Sequence, residues 1–367
     1  IDFASAVHHD GEVYSCSYSP SGDLLLTAGW DGHLRIWEPY TGQSPLAIHA
    51  SQKPLSCCKC SPDGKLWFTG SMEGLLSIWD GVSRQLVISF VAHTRPISEI
   101  TFNREGTLFA TSSWDRQIIL RKYGREREGQ TIGTHHDIVA GARFTSDSKQ
   151  LISWSHDTTI KLWDLTLCQE LATVQGHTDR VVSLALSPDD RFAISGGRDA
   201  TVRLWDLDMH VEVATVNLGT EVRACFFLPD GESVIVADNV GRLFLMSIPH
   251  FQVIHQIKTP FRVMCGEVNS IGNQLALGSE DGGVHFVSIE GFEESPIIVP
   301  TTLSHKNSAG LLDRFLGKTR IIPSYTFTCP VCRIQNETTV LSNQPVPCPA
   351  CHRILRLYHR TPQLLRS

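Results

Sequence analysis

The chain punctuates itself at a fixed interval. Turn signals recur as Ser19-Pro20-Ser21-Gly22, Ser61-Pro62-Asp63-Gly64, Asn103-Arg104-Glu105-Gly106, Thr145-Ser146-Asp147-Ser148, Ser187-Pro188-Asp189-Asp190, Leu228-Pro229-Asp230-Gly231 and, more weakly, Asn269-Ser270-Ile271-Gly272. Their first residues lie 42, 42, 42, 42, 41 and 41 positions apart. Such a period constrains the fold more than composition does, because each unit is one supersecondary element that must lean on the next to bury its apolar face.

Each unit has the same internal order. In the fifth, an alternating apolar run, Val181–Leu186, reads as a strand, and a Pro/Asp turn reverses it. A second run at Arg191–Ser195, a third at Val202–Trp205 and a more polar fourth at Val211–Val216 complete the unit. Four short antiparallel strands cannot cover both of their own faces. Set radially, each unit covers its neighbour and the ring protects most edges.

Three units end in Ile78-Trp79-Asp80, Leu162-Trp163-Asp164 and Leu204-Trp205-Asp206, and Gly176-His177 stands upstream of the last. Period, turn and dipeptide together resemble the WD-repeat family. The resemblance implies an all-β, seven-bladed propeller of four-stranded antiparallel blades over residues 1–299. Its blades fall near 8–48, 49–90, 91–132, 133–174, 175–216, 217–257 and 258–299. It also implies a buried chain of hydrogen bonds in each repeat, built from a His, a Ser or Thr, an Asp and a Trp. The matching residues are His9, Thr27, Asp31 and Trp37 in the first repeat, His135, Ser153, Asp157 and Trp163 in the fourth, and His177, Ser195, Asp199 and Trp205 in the fifth. Each of these groups needs a partner once buried, and the Asp fixes the tautomer of the His. Elsewhere the pattern decays. The second repeat offers Ser51, Thr69, Glu73 and Trp79, and the third keeps His93, Thr111 and Asp115 but has Arg121 where Trp belongs. The sixth has Leu218, Val236, Val240 and Met246, and the seventh keeps only Asp281, so the last two are expected to be held mainly by apolar packing. Two segments compete to close the last blade, Ile1–Ala6 and Ser295–Pro300.

Beyond the repeats, residues 300–323 read as a linker in which Leu311–Leu316 can form a short amphipathic helix, either packed on the propeller rim or free to dock a partner. Residues 324–360 read as a second, small domain, followed by a tail at 361–367. Cys329 and Cys332 form one C-x-x-C pair, and Cys348 and Cys351 a second, with 15 residues between the pairs. Four thiolates suit the closed tetrahedral site of one structural zinc ion and leave no open position for catalysis. The segment resembles the zinc-ribbon class, in which metal supplies much of the folding free energy.

The other seven of the eleven cysteines follow no disulfide framework, which suits a reducing compartment, the cytoplasm or, in a eukaryote, the nucleus. Cys57, Cys58 and Cys60 invite a metal reading, but Cys16, Cys58 and Cys225 all align with Leu184, an inward column of the first strand, so packing is expected. Residues 301–367 carry nine Lys and Arg against two Asp and Glu, while the whole chain is at −6. This basic end, with Arg353, Arg356, Arg360, Arg366 and Tyr358, either contacts nucleic acid or anchors on the acidic body. No apolar run approaches the about 20 residues a membrane helix needs.

A partner-binding face is suggested by the residue before each network Asp. Trp30, Met72, Trp114, His156, Arg198, Asn239 and Glu280 hold this place, at the turn between second and third strands. The residues before each first strand, which include Arg180 and Arg262, border the same end of the ring. Tryptophan and arginine dominate binding hot spots. Trp154 is expected to pack. The recurrence of His, Ser and Asp at matched positions argues against a catalytic triad, since an enzyme needs one site. The expected function is therefore a non-enzymatic protein-interaction scaffold or sensor module, with protein partners on the propeller face and no small-molecule substrate. Because the chain begins at Ile1, it is further read as the recognition end of a larger signalling protein. The alternative is association with RNA or DNA through the basic ribbon.

Overall fold

The computed structural model describes residues 8–39, 43–248 and 250–289, together with strands between residues 297 and 358 whose backbone alone is described. From Val13 to Ser288 the chain forms seven antiparallel sheets in sequence order, six of four strands and a last of three described strands, Val263–Val268, Gln274–Ser279 and Val284–Ser288. This is a seven-bladed β-propeller.

The turn signals have a mechanical reason. In the fifth blade Ser187 Oγ donates to Asp189 (2.6 Å) and accepts the Phe192 amide (2.9 Å), while Asp189 accepts the Arg191 amide (3.1 Å). Ser61 with Asp63 and Thr145 with Asp147 repeat the arrangement. The fourth turn position needs a left-handed backbone, which glycine supplies at Gly22, Gly64, Gly106, Gly231 and Gly272 (φ 69° to 87°). Ser148 and Asp190 adopt it at φ 59° and 57° without being glycine, which is why their turns read weakly in the sequence.

Within each blade the second strand is buried nearly throughout, as in Phe192–Gly197, while the outermost alternates toward solvent, as in Val211–Asn217. Seven apolar clusters among the described residues fill the seven seams between blades. One joins Ile194, Val202 and Leu204 of blade five to Val222, Val236 and Met246 of blade six. The closing cluster joins Val13, Tyr18 and Trp37 of blade one to Ala276, Val284 and Phe286 of blade seven.

Ring closure has a backbone signature. At five seams the amide of the residue in the network His position donates to a carbonyl in the second turn of the preceding blade: Ser51 to Gly32, His93 to Gly74, His135 to Arg116, Leu218 to Ala200 and Thr259 to Gly241. His9 makes the same bond to Gly282 of blade seven at 2.9 Å. A Cβ on Gly282, whose φ is +87°, would meet the His9 carbonyl at 2.1 Å.

Two stretches beyond residue 289 carry strands. Within the candidate closing segment Ser295–Pro300, Ile297–Pro300 pairs in parallel with Ile354–Tyr358. The stretch read as a linker carries a strand, Thr302–Ser308, paired antiparallel with Arg320–Thr328. Ile1–Ala6, the rival closing segment, lies outside the described residues, as do Leu311–Leu316 and all four ribbon cysteines.

Candidate interaction face and its support

The proton order of the blade network follows from its geometry. In blade one the Trp37 indole N–H donates to Thr27 Oγ1 (2.7 Å), and the Thr27 hydroxyl donates to His9 Nε2 (2.8 Å). His9 Nδ1–H then donates to Asp31 (2.8 Å). The carboxylate can only accept, so the neutral His9 carries its proton on Nδ1. Blade four repeats the chain through Trp163, Ser153, His135 and Asp157 (2.8, 2.8 and 3.0 Å). Blade five does so through Trp205, Ser195, His177 and Asp199 (2.8, 2.7 and 2.9 Å). Burial lowers the His9 and His177 pKa values against the raising pull of their aspartates. Burial would raise Asp31, but hydrogen bonds from His9 and from the backbone amides of His33 and Asp10 hold it well below the ordinary carboxylate value.

The decayed repeats hold more than the sequence promised. In blade three Arg121 takes the place of the indole. Its Nη1 donates to Thr111 (2.6 Å), which meets His93 (2.8 Å), and its Nη2 donates to the Ala92 carbonyl (3.0 Å). Burial lowers its pKa to about 10. Blade six, expected to be held mainly by apolar packing, adds a polar cluster to it. Asp238, fully buried, accepts from Arg242 Nε (2.6 Å) and Thr220 Oγ1 (2.7 Å), with the Arg242 amide at 2.7 Å. It stands two residues before the expected Val240, close enough in the turn to do the same work. Blade seven adds a stacked Phe261 and His285 pair, centroids 3.6 Å apart, with His285 Nε2 3.2 Å from Ser279 Oγ.

These networks fix the turns that carry the face. In every blade the amide of the residue before the network Asp donates to the carbonyl of the residue before the first strand. The pairs are Trp30–Glu12, Met72–Pro54, Trp114–Pro96, His156–Ile138, Arg198–Arg180, Asn239–Glu221 and Glu280–Arg262, at 2.9 to 3.1 Å. The two rows of residues therefore lie side by side at one end of the ring.

The face divides in two. Across blades one to three it presents Trp30, half-buried Met72 and Trp114. Trp30 and Trp114 are 55% and 42% exposed, while the other six tryptophans, Trp154 included, are all buried. Trp30 rests on Gly11 and on the tilted ring of Tyr14, 6.3 Å away. Across blades four to seven the face is polar. Arg262 pairs with Glu280 (3.4 Å) and Arg198 approaches Glu221 (4.0 Å), so the arginines do not make a purely cationic patch. After burial, half-buried Arg180 and exposed Arg198 both act to lower the His156 pKa. Two polar atoms on this half, His156 Nδ1 and Asn239 Oδ1, are buried without a hydrogen-bond partner.

Below the face runs a central channel of about 490 Å³ lined by innermost-strand residues. Two ion pairs unforeseen in the sequence cross its wall, Lys59 with Glu267 and Arg143 with Glu99. The available signal was a charge in an innermost strand that carries small or apolar residues in the other repeats. Trp154 packs beside this wall, its Nε1 donating to the Val182 carbonyl (3.3 Å) and its ring facing Arg143. Cys57, Cys58 and Cys60 are buried and unpaired, and burial raises all three thiols, Cys60 to about 12. Among the described residues no group of three or more His, Cys, Asp or Glu could hold a metal ion.

A seven-fold ring of four-stranded sheets, clamped by His–Asp and Trp–Ser/Thr bonds, defines a WD-type propeller. The family pattern described as WD domain, G-beta repeat matches residues 4–38, 43–80, 84–121, 127–164 and 168–206, more than half of the chain, and the chain belongs to that family. Local similarity reaches curated proteins as well. Telomerase protein component 1 of Rattus norvegicus is 49% identical over 41 residues, 11% of this chain and 2% of that protein. Protein HIR1 of Chaetomium globosum is 58% identical over 33 residues, 9% of this chain and 3% of that protein. The chain thus matches only a few per cent of the length of these relatives. Propellers of the family typically act as protein-interaction scaffolds and are generally not enzymes.

Proposed function

We propose that this chain is a non-enzymatic scaffold whose protein partner docks on the face built by Trp30, Met72 and Trp114, with His156, Arg180, Arg198 and Arg262 on its polar side. One observation carries the reading: the two exposed tryptophans of the chain share one repeat position on backbone-fixed turns. An indole held half in water costs free energy until a partner covers it, and aromatic anchors of this kind dominate interfaces. The test is capture of partners from source lysate by the full chain and by a Trp30→Ala/Trp114→Ala variant, with nuclease present. The variant should unfold at the same denaturant concentration and lose the captured proteins at least tenfold. An unchanged capture profile, or capture that vanishes with nuclease alone, would reject the face in favour of the basic C-terminal segment.

The ribbon belongs to the same proposal. Cys329 and Cys332 fall between Arg320–Thr328 and Gln335–Thr338, which pair antiparallel, and Cys348 and Cys351 fall between Val346–Pro347 and Ile354–Tyr358, which also do. In sequence, one C-x-x-C pair lies between the members of each strand pair, which supports one structural zinc ion held by four thiolates. Metal analysis of the purified chain should find one zinc per molecule, lost in Cys329→Ser/Cys348→Ser while the propeller keeps its unfolding transition. Retention of zinc by that variant would place the metal elsewhere. The absence of a disulfide framework in the cysteine spacing supports a cytoplasmic or nuclear location for this scaffold.

A further inference from the structure

The seam that closes the ring is lined by two thiols. Cys16, on the innermost strand of blade one, and Cys265, on the innermost strand of blade seven, bring their sulfurs to 3.3 Å across 249 residues of sequence. Both border the central channel, and of the two Cys16 is buried whereas Cys265 is half-buried. The Cys265 thiol also reaches the Val13 carbonyl at 3.3 Å. The nearby Cys58 is directed elsewhere, onto the Ser15 carbonyl and hydroxyl at 3.7 and 3.8 Å. The other six seams are crossed by the continuing chain. Among the described residues this one is held by noncovalent contacts, including His9 to Gly282 (2.9 Å), the Tyr18 hydroxyl to Gln274 (3.1 Å) and Gln274 to the Pro39 carbonyl (3.3 Å).

We propose that Cys16 and Cys265 are a site of reversible oxidation, forming a disulfide that clasps blade one to blade seven when the protein meets a hydroperoxide. A small oxidant arrives through the channel, and Cys265 reacts first because it is the less buried of the two thiols. Its thiolate attacks the terminal peroxide oxygen; the S–O bond forms as the O–O bond breaks, leaving Cys265 as a sulfenic acid and releasing the alcohol, or water from hydrogen peroxide. The Cys16 sulfur then attacks the Cys265 sulfur. The S–S bond forms, the S–O bond breaks, and hydroxide leaves with the Cys16 proton as water. Two thiols have lost two electrons and the peroxide has gained them. The sulfurs must close from 3.3 Å to about 2.0 Å, a shift within reach of side-chain rotation. A cellular dithiol reverses the bond by exchange.

The clasp would tie together residues 249 positions apart, and a loop of that length restricts the unfolded chain strongly. The test uses the full chain, exposed to hydrogen peroxide, blocked at its remaining thiols and digested without reductant. Mass spectrometry should find the Cys16 peptide linked to the Cys265 peptide, with the link abolished by dithiothreitol and by Cys16→Ser and retained in Cys58→Ser. Thermal unfolding of the oxidised protein should shift upward and return on reduction. A link from Cys16 to Cys58 would overturn the assignment. So would recovery of Cys16 and Cys265 as free thiols under conditions that oxidise the half-buried Cys168. Formation of the link without an upward shift would overturn the clasp. The mapping needs no variant, so it decides the chemistry even if Cys16→Ser fails to fold.

Discussion

Blades five and six share a backbone and differ in what fills it. In blade five Trp205, Ser195, His177 and Asp199 pass hydrogen bonds from the core to the turn. In blade six the corresponding places hold apolar Met246, Val236, Leu218 and Val240, of which Met246 and Val236 are fully buried. Polar restraint of the turn has moved to Asp238, Arg242 and Thr220. The WD pattern stops matching at residue 206, just before this change. What the two blades keep in common is the task. An acidic side chain near the second turn holds the backbone amides that shape it, Thr178 and Thr201 for Asp199, Val240 and Arg242 for Asp238. The strands need cover from both sides and the turn needs an anion. The residues that supply these are exchangeable.

The largest expected difference lies in the indole. Replacing Trp205 by Leu removes a fully buried ring and the N–H that satisfies Ser195, and should cost about 3 kcal/mol or more in denaturant unfolding. The same replacement at Met246, also buried but without a hydrogen bond to lose, conserves volume and should cost less than about 1.5 kcal/mol. Equal costs would break the comparison, because they would mean that neither the bulk of the indole nor its hydrogen bond stabilises blade five.

The contrast also explains what the sequence could convey. The turns were legible because their chemistry is local: a hydroxyl or amide, an Asp two residues on, and a left-handed fourth residue. The networks were legible wherever His and Trp stood in register. They were missed where the same hydrogen bond came from another donor, as with Arg121, or from a shifted place, as with Asp238. No residue-type pattern announces that a guanidinium will stand in for an indole. The ion pairs of the channel were hidden for a different reason. Lys59 and Glu267 are 208 residues apart, and only the closed ring brings them together. The face was half legible. The repeat frame brought its residues together by position, and the amide-to-carbonyl bonds pair them as neighbours, but the partnering of Arg198 and Arg262 with glutamates came from the adjacent column. The strand at Thr302–Ser308 was missed because its sequence, Thr-Leu-Ser-His-Lys-Asn-Ser, lacks an alternating apolar face.

A smaller effect, in pH, sharpens the same comparison. His177 is lowered from its ordinary 6.5, chiefly by burial, with Arg203 adding to the shift and Asp199 and Glu212 opposing it. A histidine so lowered is protonated more readily in the unfolded chain than in the folded one. Its contribution is therefore whole above pH 6.5 and is lost as pH falls through and below that value. Blade one should follow, since His9 is lowered for the same main reason. Blade six has no histidine in its network, and Asp238, lowered from 3.8 by hydrogen bonds from Arg242 and Thr220 that outweigh its burial, contributes until pH falls below 3.8. Hydrogen exchange resolved by blade, corrected for intrinsic rates, should show amides of blades one and five losing protection between pH 7 and pH 5 while those of blade six keep theirs. Uniform loss across all three would mean that the ring opens as one unit, with the chemistry of a single blade spread over its neighbours. Loss confined to blades one and five would show that each network stabilises its own turn, so that acid loosens the Trp30 edge of the face while leaving the Asn239 edge intact.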